Sequence, residues 1–401
     1  PRVSYQIRIR QEKAQAEVSA AVKRDFYVTL LSEVINEQAY AASTAGLRVA
    51  VTDGSKGITL SVSGYSQSAN ALLESVLKQM RQPDFDETRF AAIKDRKVRA
   101  LQNAVFTDAW QQARELERKL FWKHYATPEE QLAVAKDLTA DSIKRYAKTL
   151  FKRGNVEMMA YGNVSQGEAE ALARGVVKTL KLKPLDAHKV FERKTLKLNA
   201  GEPVVSTNIL KVNNSAFRQG ILLGEANAKN RAAAHMVSTF FADLYYGEMR
   251  TRQQLGYIVG GYHSESEGKL HARFIIQSAD YSADELMERS NTFLATLPAA
   301  FEAADDTRID TIRAAVRAEL EQKDKSIAER GARFFNLAFE RDGNWGRAQE
   351  TLTALDALSR EDVRAMLEKI ANNSAGGSFA VLSMAEQHAD SAAKVKPSFS
   401  D

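Results

Sequence analysis

The sequence contains no cysteine among its 401 residues, which excludes disulfide bonds, zinc–thiolate sites, cysteine nucleophiles and iron–sulfur clusters. Only six histidines remain as metal ligands or catalytic bases, and they never form His-Glu-x-x-His or the inverted motif His-x-x-Glu-His. We therefore expect no metal site within the chain. His263 and Glu267 are four residues apart, and we expect them to lie in a solvated hairpin turn.

Other absences limit the classes of partner that we expect the chain to bind. No apolar run approaches the roughly 20 residues of a membrane helix, and no charged-then-apolar start resembles a signal peptide. The chain also lacks the phosphate-loop and nucleophile-elbow motifs. Its net charge of +5 arises from 56 basic and 51 acidic residues, a surplus too small to indicate nucleic acid. We expect neither a membrane nor a nucleic-acid partner, and the basic cluster Lys94, Arg96, Lys97 and Arg99 indicates a solvated helix face.

The absence of thiols suits an oxidising compartment as well as a reducing one. The compartment therefore stays open between the bacterial periplasm, which we favour, and the cytoplasm. The chain begins at Pro1 without an initiator methionine, which suggests a mature product or a piece of something longer.

The chain does contain an internal repeat. A helical stripe at Tyr27 to Val34, the turn Ala45-Gly46-Leu47 and two strands joined by a hairpin recur as the stripe at Val237 to Leu244, the turn Leu255-Gly256-Tyr257 and two further strands. Aligning Gly46 with Gly256 gives an offset of 210 residues, which rises to 220 at Leu138 and Leu358. Further along, the runs starting at Asp86 and Asp305 each begin a long helical pattern.

The order of strands and helices in each copy therefore predicts an α+β sandwich, in which helices cover a mainly antiparallel sheet. Pro184 and the polar stretch after it break both periodicities, so we place the boundary between residues 1–185 and 186–401. The alternation at Lys194 to Leu198 predicts that a strand opens the second copy there. Thr139 and Ser359 are predicted helix N-caps, and the polar end from Gln387 to Asp401 is predicted to fray.

One segment stands out between a predicted helix end and a predicted strand start, from Gly247 to Val259. Its Arg250 guanidinium and Tyr257 hydroxyl can both donate to a peptide carbonyl oxygen and to the oxyanion that it becomes during hydrolysis. A structural alternative also stands, with the arginine complementing a helix C-terminus and the tyrosine packed in the sheet. At the same offset the first copy has Tyr40 and Leu47, so both donors occur in one copy only, which favours a functional role.

The same segment, with the run Arg273 to Ser278 and the first-copy run Asn36 to Ala42, resembles the insulysin/pitrilysin family of zinc metallopeptidases. The resemblance spans nearly the whole chain and implies the LuxS/MPP-like metallopeptidase fold. It also implies that this chain is the third and fourth of four homologous domains, which enclose a peptide substrate as two halves. Arg250 and Tyr257 are by this resemblance the residues that contact the substrate backbone, whereas Arg252 and Gln254 receive no role.

The resemblance implies that zinc is bound by an N-terminal half or partner subunit, because the His-x-x-Glu-His motif is missing here. The expected function is thus the non-zinc half of a zinc metalloendopeptidase, inactive alone. The alternative is a non-catalytic scaffold or binding subunit of the same fold that pairs with a zinc-bearing partner.

Overall fold

The computed structural model describes residues 1–54, 56–373 and 376–398. The elements of the first half are β1 (Arg2–Arg10), α1 (Val18–Val34), α2 (Asn36–Thr44), β2 (Arg48–Gly54), β3 (Gly57–Tyr65), α3 (Ser66–Arg81), α4 (Glu87–Gln102), α5 (Ala109–Phe121), α6 (Pro128–Asp137), α7 (Ala140–Leu150), β4 (Asn155–Gly162) and α8 (Gln166–Leu180). Those of the second half are β5 (Val204–Leu210), β6 (Ser215–Glu225), α9 (Ala228–Tyr246), β7 (Ile258–Ser266), β8 (Lys269–Ser278), α10 (Ala283–Leu294), α11 (Leu297–Glu302), α12 (Asp306–Leu320), α13 (Ile327–Glu340), α14 (Arg347–Ala357), α15 (Arg360–Ala371), β9 (Ser378–Ala385) and α16 (Ala389–Ala392).

The first sheet has the strand order β2-β3-β1-β4, with every neighbouring pair antiparallel. Its central strand β1 alternates, and Val3, Tyr5, Ile7 and Ile9 are fully buried in a core shared with α1 and α3. Because successive residues of a strand face opposite sides, these four side chains fix which face of the sheet α1 and α3 cover.

The second sheet repeats this plan and adds one strand. Its order is β5-β9-β6-β8-β7, with β5 parallel to β9 and the other pairs antiparallel. All eight residues of β9 are buried, as expected for a strand with neighbours on both sides. The predicted fold class, an α+β arrangement of mainly antiparallel sheets covered by helices, is confirmed.

Helix starts follow local signals in the sequence. The predicted N-caps Thr139 and Ser359 each accept a hydrogen bond from the backbone two or three residues into the helix, and each forms a reciprocal capping box. The acidic runs at 86 and 305 do begin α4 and α12, where Asp305 accepts from the backbone N–H of Arg308 at 2.8 Å. No helix in the described part of the chain is both long and apolar enough to span a membrane.

Two compact units exchange helices along the sequence. The first comprises residues 1–102, 123–194 and 323–345, and the second comprises residues 103–122, 195–322 and 346–401. Helix α13, late in the sequence, thus belongs to the unit of β1 and β4, where Glu340 pairs with Arg8 and Phe334 contacts Tyr161 with ring centroids 5.1 Å apart. The predicted boundary at residues 185 and 186 follows the repeat, whereas the compact units follow these exchanged helices.

The reciprocal exchange places α5 on the second sheet. Glu117 of α5 accepts hydrogen bonds from Arg218 at 2.7 Å and Arg273 at 2.8 Å. Phe121 packs edge-on against Phe379 of β9, with ring centroids 4.5 Å apart. A partly buried carboxylate between two guanidinium groups, together with an aromatic pair, fixes α5 on this face.

Two expectations about the ends of the second copy are wrong. Residues 194–198 form no strand, because Thr195 makes only an isolated bridge to Trp122 and Leu196 N–H donates to the carbonyl of Phe121 at the end of α5. The described part of the tail is held by a hydrogen bond, since the N–H of Ser398 donates to the carbonyl of Val205 at 2.8 Å. The tail thus pairs with β5, although the prediction for 399–401 lies outside the described residues.

Candidate functional site

The segment singled out in the sequence lies where α9 gives way to β7. Beyond Tyr246 the helix continues as a π-helical turn, Gly247–Arg252, and β7 begins at Ile258. π-Helical turns carry one extra residue per turn and occur often at functional sites. Arg250 lies within this turn, and Tyr257 lies one residue before the strand.

Two buried apolar side chains anchor the connection. Met249 and Leu255 have relative exposures of 0 % and 1 %, and the N–H of Leu255 donates to the carbonyl of Met249 at 2.9 Å. Between them Gln254 takes a positive φ of 54°, a left-handed conformation that turns the chain back toward the sheet. The anchors hold the backbone on both sides of Arg250 and so fix where its side chain begins.

Gly256 allows the chain to lie directly against β8. A Cβ atom at this position would come within 1.8 Å of the carbonyl oxygen of Gln277, so no other residue fits without a backbone shift. The Gln277 side chain is itself held, since its Oε1 accepts from the backbone N–H of Trp110 at 2.9 Å. Tyr257 therefore enters the strand from a fixed position.

Arg250 and Tyr257 come together as the sequence predicted. The guanidinium carbon lies 4.5 Å from the centroid of the Tyr257 ring and 5.9 Å from that of Tyr246. Arg250 Nη1 donates to the carbonyl of Gly256 at 2.8 Å, while the Tyr257 side chain is 79 % exposed. The described residues place no carboxylate in a salt bridge with Arg250, so its remaining N–H groups and the phenol hydroxyl can face a ligand.

Glu248 organises the flank of the turn. Its carboxylate pairs with Arg252, four residues on, and accepts a hydrogen bond from Gln253 Nε2 at 2.6 Å. The hydrogen bond from Arg252 is the main cause that lowers the pKa of Glu248 below its usual range. Arg252, which the sequence left without a role, thus neutralises Glu248 and leaves Arg250 without a competing carboxylate.

The first copy has a different structure at these positions. Tyr40, which aligns with Arg250, lies in α2 with 73 % exposure, and Leu47, which aligns with Tyr257, is a core residue with 5 % exposure. The first copy forms an ordinary helix, α2, where the second forms the π-helical turn. Because the shared fold forms with either arrangement, it does not require the arginine and tyrosine.

The expectation about His263 is wrong. His263 does not lie in a solvated turn as expected, because it is part of β7 and its ring packs 4.4 Å from that of His235 on α9. Burial, with a smaller contribution from His235, lowers the pKa of His263 to about 4. No group of three or more potential ligands in the described ranges could hold a metal ion.

The sequence predicts Arg250 and Tyr257 as site residues, whereas Tyr246 and Gln277, which contact them or the turn beside them in the structure, were not predicted. Tyr246 stands four residues before Arg250, a helical spacing that puts its ring on the same side of the helix. Gln277 leaves no such local signal, because its contact with Gly256 depends on the pairing of β7 with β8.

Comparisons with known proteins agree with this architecture. Residues 1–134 match the model of the middle or third domain of peptidase M16, and residues 236–335 match that of the C-terminal lobe domain 4 of PqqF-like PQQ synthase. The chain is 26 % identical to insulin-degrading enzyme of Homo sapiens over 345 aligned residues. The alignment covers 84 % of this chain and 34 % of that protein. Insulin-degrading enzyme of Drosophila melanogaster is 26 % identical over 341 residues, with the same coverages. The chain thus spans about a third of the length of these relatives.

Solved structures share the fold at low identity. Pitrilysin superposes with a TM-score of 0.84 and 19 % identity, over 96 % of this chain and 41 % of that chain. The peptidase M16 inactive domain from Pseudomonas fluorescens superposes with a TM-score of 0.70 and 14 % identity, over 96 % of this chain and 92 % of that chain.

Proposed function

We propose that this chain, which corresponds to the C-terminal half of an insulinase/pitrilysin-family peptidase, is the non-zinc half of a zinc metalloendopeptidase. In this proposal it helps to enclose a peptide substrate and contributes Arg250 and Tyr257 to the scissile region. The aligned region covers only 34 % of the length of human insulin-degrading enzyme, which supports the proposal that activity requires another half besides this chain.

The observation that supports the proposal most is the stacked pair of Arg250 and Tyr257. The guanidinium and the phenol lie side by side, and each can donate a hydrogen bond to one carbonyl oxygen. Such donors stabilise the negative charge that develops on that oxygen during hydrolysis, and they are already in position before the reaction. The hydrogen bond from Arg250 to Gly256 keeps the guanidinium from swinging away.

The described residues do not provide a zinc site. His235 and His263 pack edge to face, and Glu319 lies 3.5 Å from His235, but no group of three or more potential ligands among the described residues could hold a metal ion. Zinc would therefore be held by an N-terminal half or partner subunit, and what this chain supplies is substrate orientation and charge stabilisation.

A second candidate is a non-catalytic scaffold or binding subunit. It is favoured by the Pseudomonas fluorescens inactive domain, whose chain has nearly the same extent as this one and the same fold. In that case Arg250 and Tyr257 would hold a peptide without affecting hydrolysis by the zinc-bearing partner.

The two candidates differ in the effect of Tyr257→Phe on turnover. In the complete peptidase that contains this chain, we expect the loss of the phenol donor to lower kcat about tenfold or more with a smaller change in KM. Tyr40→Phe is the matched control, because Tyr40 is an equally exposed tyrosine in the first copy. An unchanged kcat for Tyr257→Phe would favour the scaffold.

A further inference from the structure

We propose that the outer edge of β7, from Tyr257 to Gly261, binds an extended peptide as an added antiparallel or parallel strand. This inference rests on the proposed function and specifies how the substrate is held. Strand β7 lies at the end of the second sheet, and in the described part of the chain only β8 pairs with it.

The register shows which backbone groups face outward. The N–H of His263 donates to Ser238 Oγ on α9 at 3.2 Å, so it points away from β8. Residues of an antiparallel pair alternate between those bonded to the partner strand and those facing away from it. The pairing of β7 with β8 is unbroken from Ile258 to Ser266, and therefore the N–H and C=O groups of Val259 and Gly261 also face outward.

This open edge has a defined extent. At His263 the serine of α9 already takes the outward N–H, which closes the edge at that point. At the other end it begins beside the exposed Tyr257 ring and the Arg250 guanidinium. The outward groups of Val259 and Gly261 recur every second residue, a spacing that matches the backbone of an extended peptide.

Gly260 leaves space beside that backbone, whereas a Cβ atom at Gly261 would meet the Phe241 and Phe274 rings of the core at 3.0 and 3.1 Å. A Cβ atom at Gly260 would have one neighbour, Ile275 at 3.7 Å, so the space on that side of the strand is open. Glycine within a strand often marks a place where another backbone approaches closely. In the first copy the corresponding edge strand β2 has Ala50 and Val51 instead, with Val51 buried.

The occupant we infer is a peptide substrate recognised through its main chain, because the edge is continuous with the donors Arg250 and Tyr257. One carbonyl of the peptide would meet these donors while neighbouring residues pair with Val259 and Gly261. Binding of this kind depends little on the peptide sequence.

The first test uses the isolated chain and three versions of one probe, a fluorescein-labelled, terminally blocked nine-residue peptide of Thr, Ser and Val. The parent should bind in fluorescence anisotropy. A version N-methylated at alternate residues keeps one free edge and should bind within about threefold of the parent. A version N-methylated at five consecutive central residues can pair on neither edge and should lose binding; retention of its affinity, or no binding by the parent, would overturn the proposal.

The second test changes the protein. Val259→Pro removes one outward N–H from an edge strand, where proline is tolerated, and should weaken binding of the parent peptide about fivefold to tenfold. Val49→Pro is the matched control, since Val49 is a partly buried valine on the edge strand β2 and should leave binding unchanged. Thermal unfolding checks that both variants fold, and equal binding by folded Val259→Pro contradicts the proposal.

A second copy of the chain is the competing occupant of the same edge. If sedimentation shows self-association that Val259→Pro abolishes, the edge belongs to a dimer and the peptide proposal is wrong. The outcome is separable from that of the proposed function. If the peptide still pairs with β7 but Tyr257→Phe leaves kcat unchanged, only the proposed catalytic role is wrong. If Tyr257→Phe lowers kcat but no peptide pairs with β7, only the proposal for the strand edge is wrong.

Discussion

Among single residues, Gly256 has the strictest steric requirement in the candidate site. Its backbone lies so close to the Gln277 carbonyl that a methyl group would meet that oxygen at 1.8 Å. Gly247, at the start of the same π-helical turn, has open space where its Cβ would be. Substitution by alanine should therefore change the stability of the chain differently at these two glycines.

We predict that Gly256→Ala destabilises the chain by about 2 kcal/mol or more, because β8 and the turn must separate. Gly247→Ala should be neutral or stabilising by up to about 1 kcal/mol, since alanine favours a helical backbone. Urea unfolding of both variants measures the difference. Equal stability of the two would show that the turn does not lie against β8 as described.

At this scale the sequence singled out Arg250 and Tyr257 as candidate site residues, but it did not predict the contacts that support them. Arg250 and Tyr257 could be found because the first copy has Tyr40 and Leu47 in their places. The π-helical turn and the pairing of Glu248 with Arg252 could not, because an extra residue in a helical turn leaves no pattern in the sequence.

Among the elements, α9 and β7 together position the site and also enclose the histidine pair. His235 and His263 pack against each other between them, with Glu319, Glu265 and Arg231 as the charged neighbours of His235. Burial lowers the pKa of both histidines, and it lowers that of His271 on β8 to about 3.

Stability should therefore fall as the pH falls. Below about pH 6.5 the histidines become protonated in the unfolded chain but stay neutral in the folded chain. For His263 this difference in bound protons extends down to about pH 4. Each such histidine steepens the loss by up to about 1.4 kcal/mol per pH unit, and above pH 6.5 it contributes nothing. We predict that His263→Phe flattens the profile of unfolding free energy between about pH 6.5 and 4, whereas exposed His188→Gln leaves it unchanged. An unaltered profile for His263→Phe would contradict this account.

The elements themselves were largely predictable, since strands such as β3 alternate clearly and capping residues mark helix starts. The prediction failed at residues 194–198, where the same alternation lets Leu196 and Leu198 pack beside α5 without a strand partner. Local periodicity records which side chains are buried, but it does not reveal what they are buried against.

At the scale of the whole molecule, the exchange of α5 and α13 means that sequence halves and compact units differ. No local pattern shows that a helix of one copy will cover the sheet of the other, so the division predicted from the repeat falls at residues 185 and 186. The covering helix carries Glu340, which pairs with Arg8 of β1 and with Lys56 in the turn between β2 and β3.

A fragment of residues 1–185 should therefore be less stable and less cooperative than the same sheet in the full chain. Without α13 it exposes the apolar and charged groups of β1 and β4 that this helix covers. Thermal unfolding followed by circular dichroism should show a broadened, lowered transition, and a synthetic peptide of residues 323–345 should raise it. A fragment as stable as the intact chain would show that α13 contributes nothing to the first sheet.

The most direct test of the central claim is hydrolysis of a quenched fluorescent peptide by this chain with and without a zinc-bearing half. With Zn²⁺ alone we predict no cleavage, because the described residues hold no metal site. Addition of the half that carries His-x-x-Glu-His should produce cleavage, which Tyr257→Phe in this chain reduces about tenfold or more. Cleavage by the isolated chain with Zn²⁺, or full activity of the assembly with Tyr257→Phe, would contradict the account.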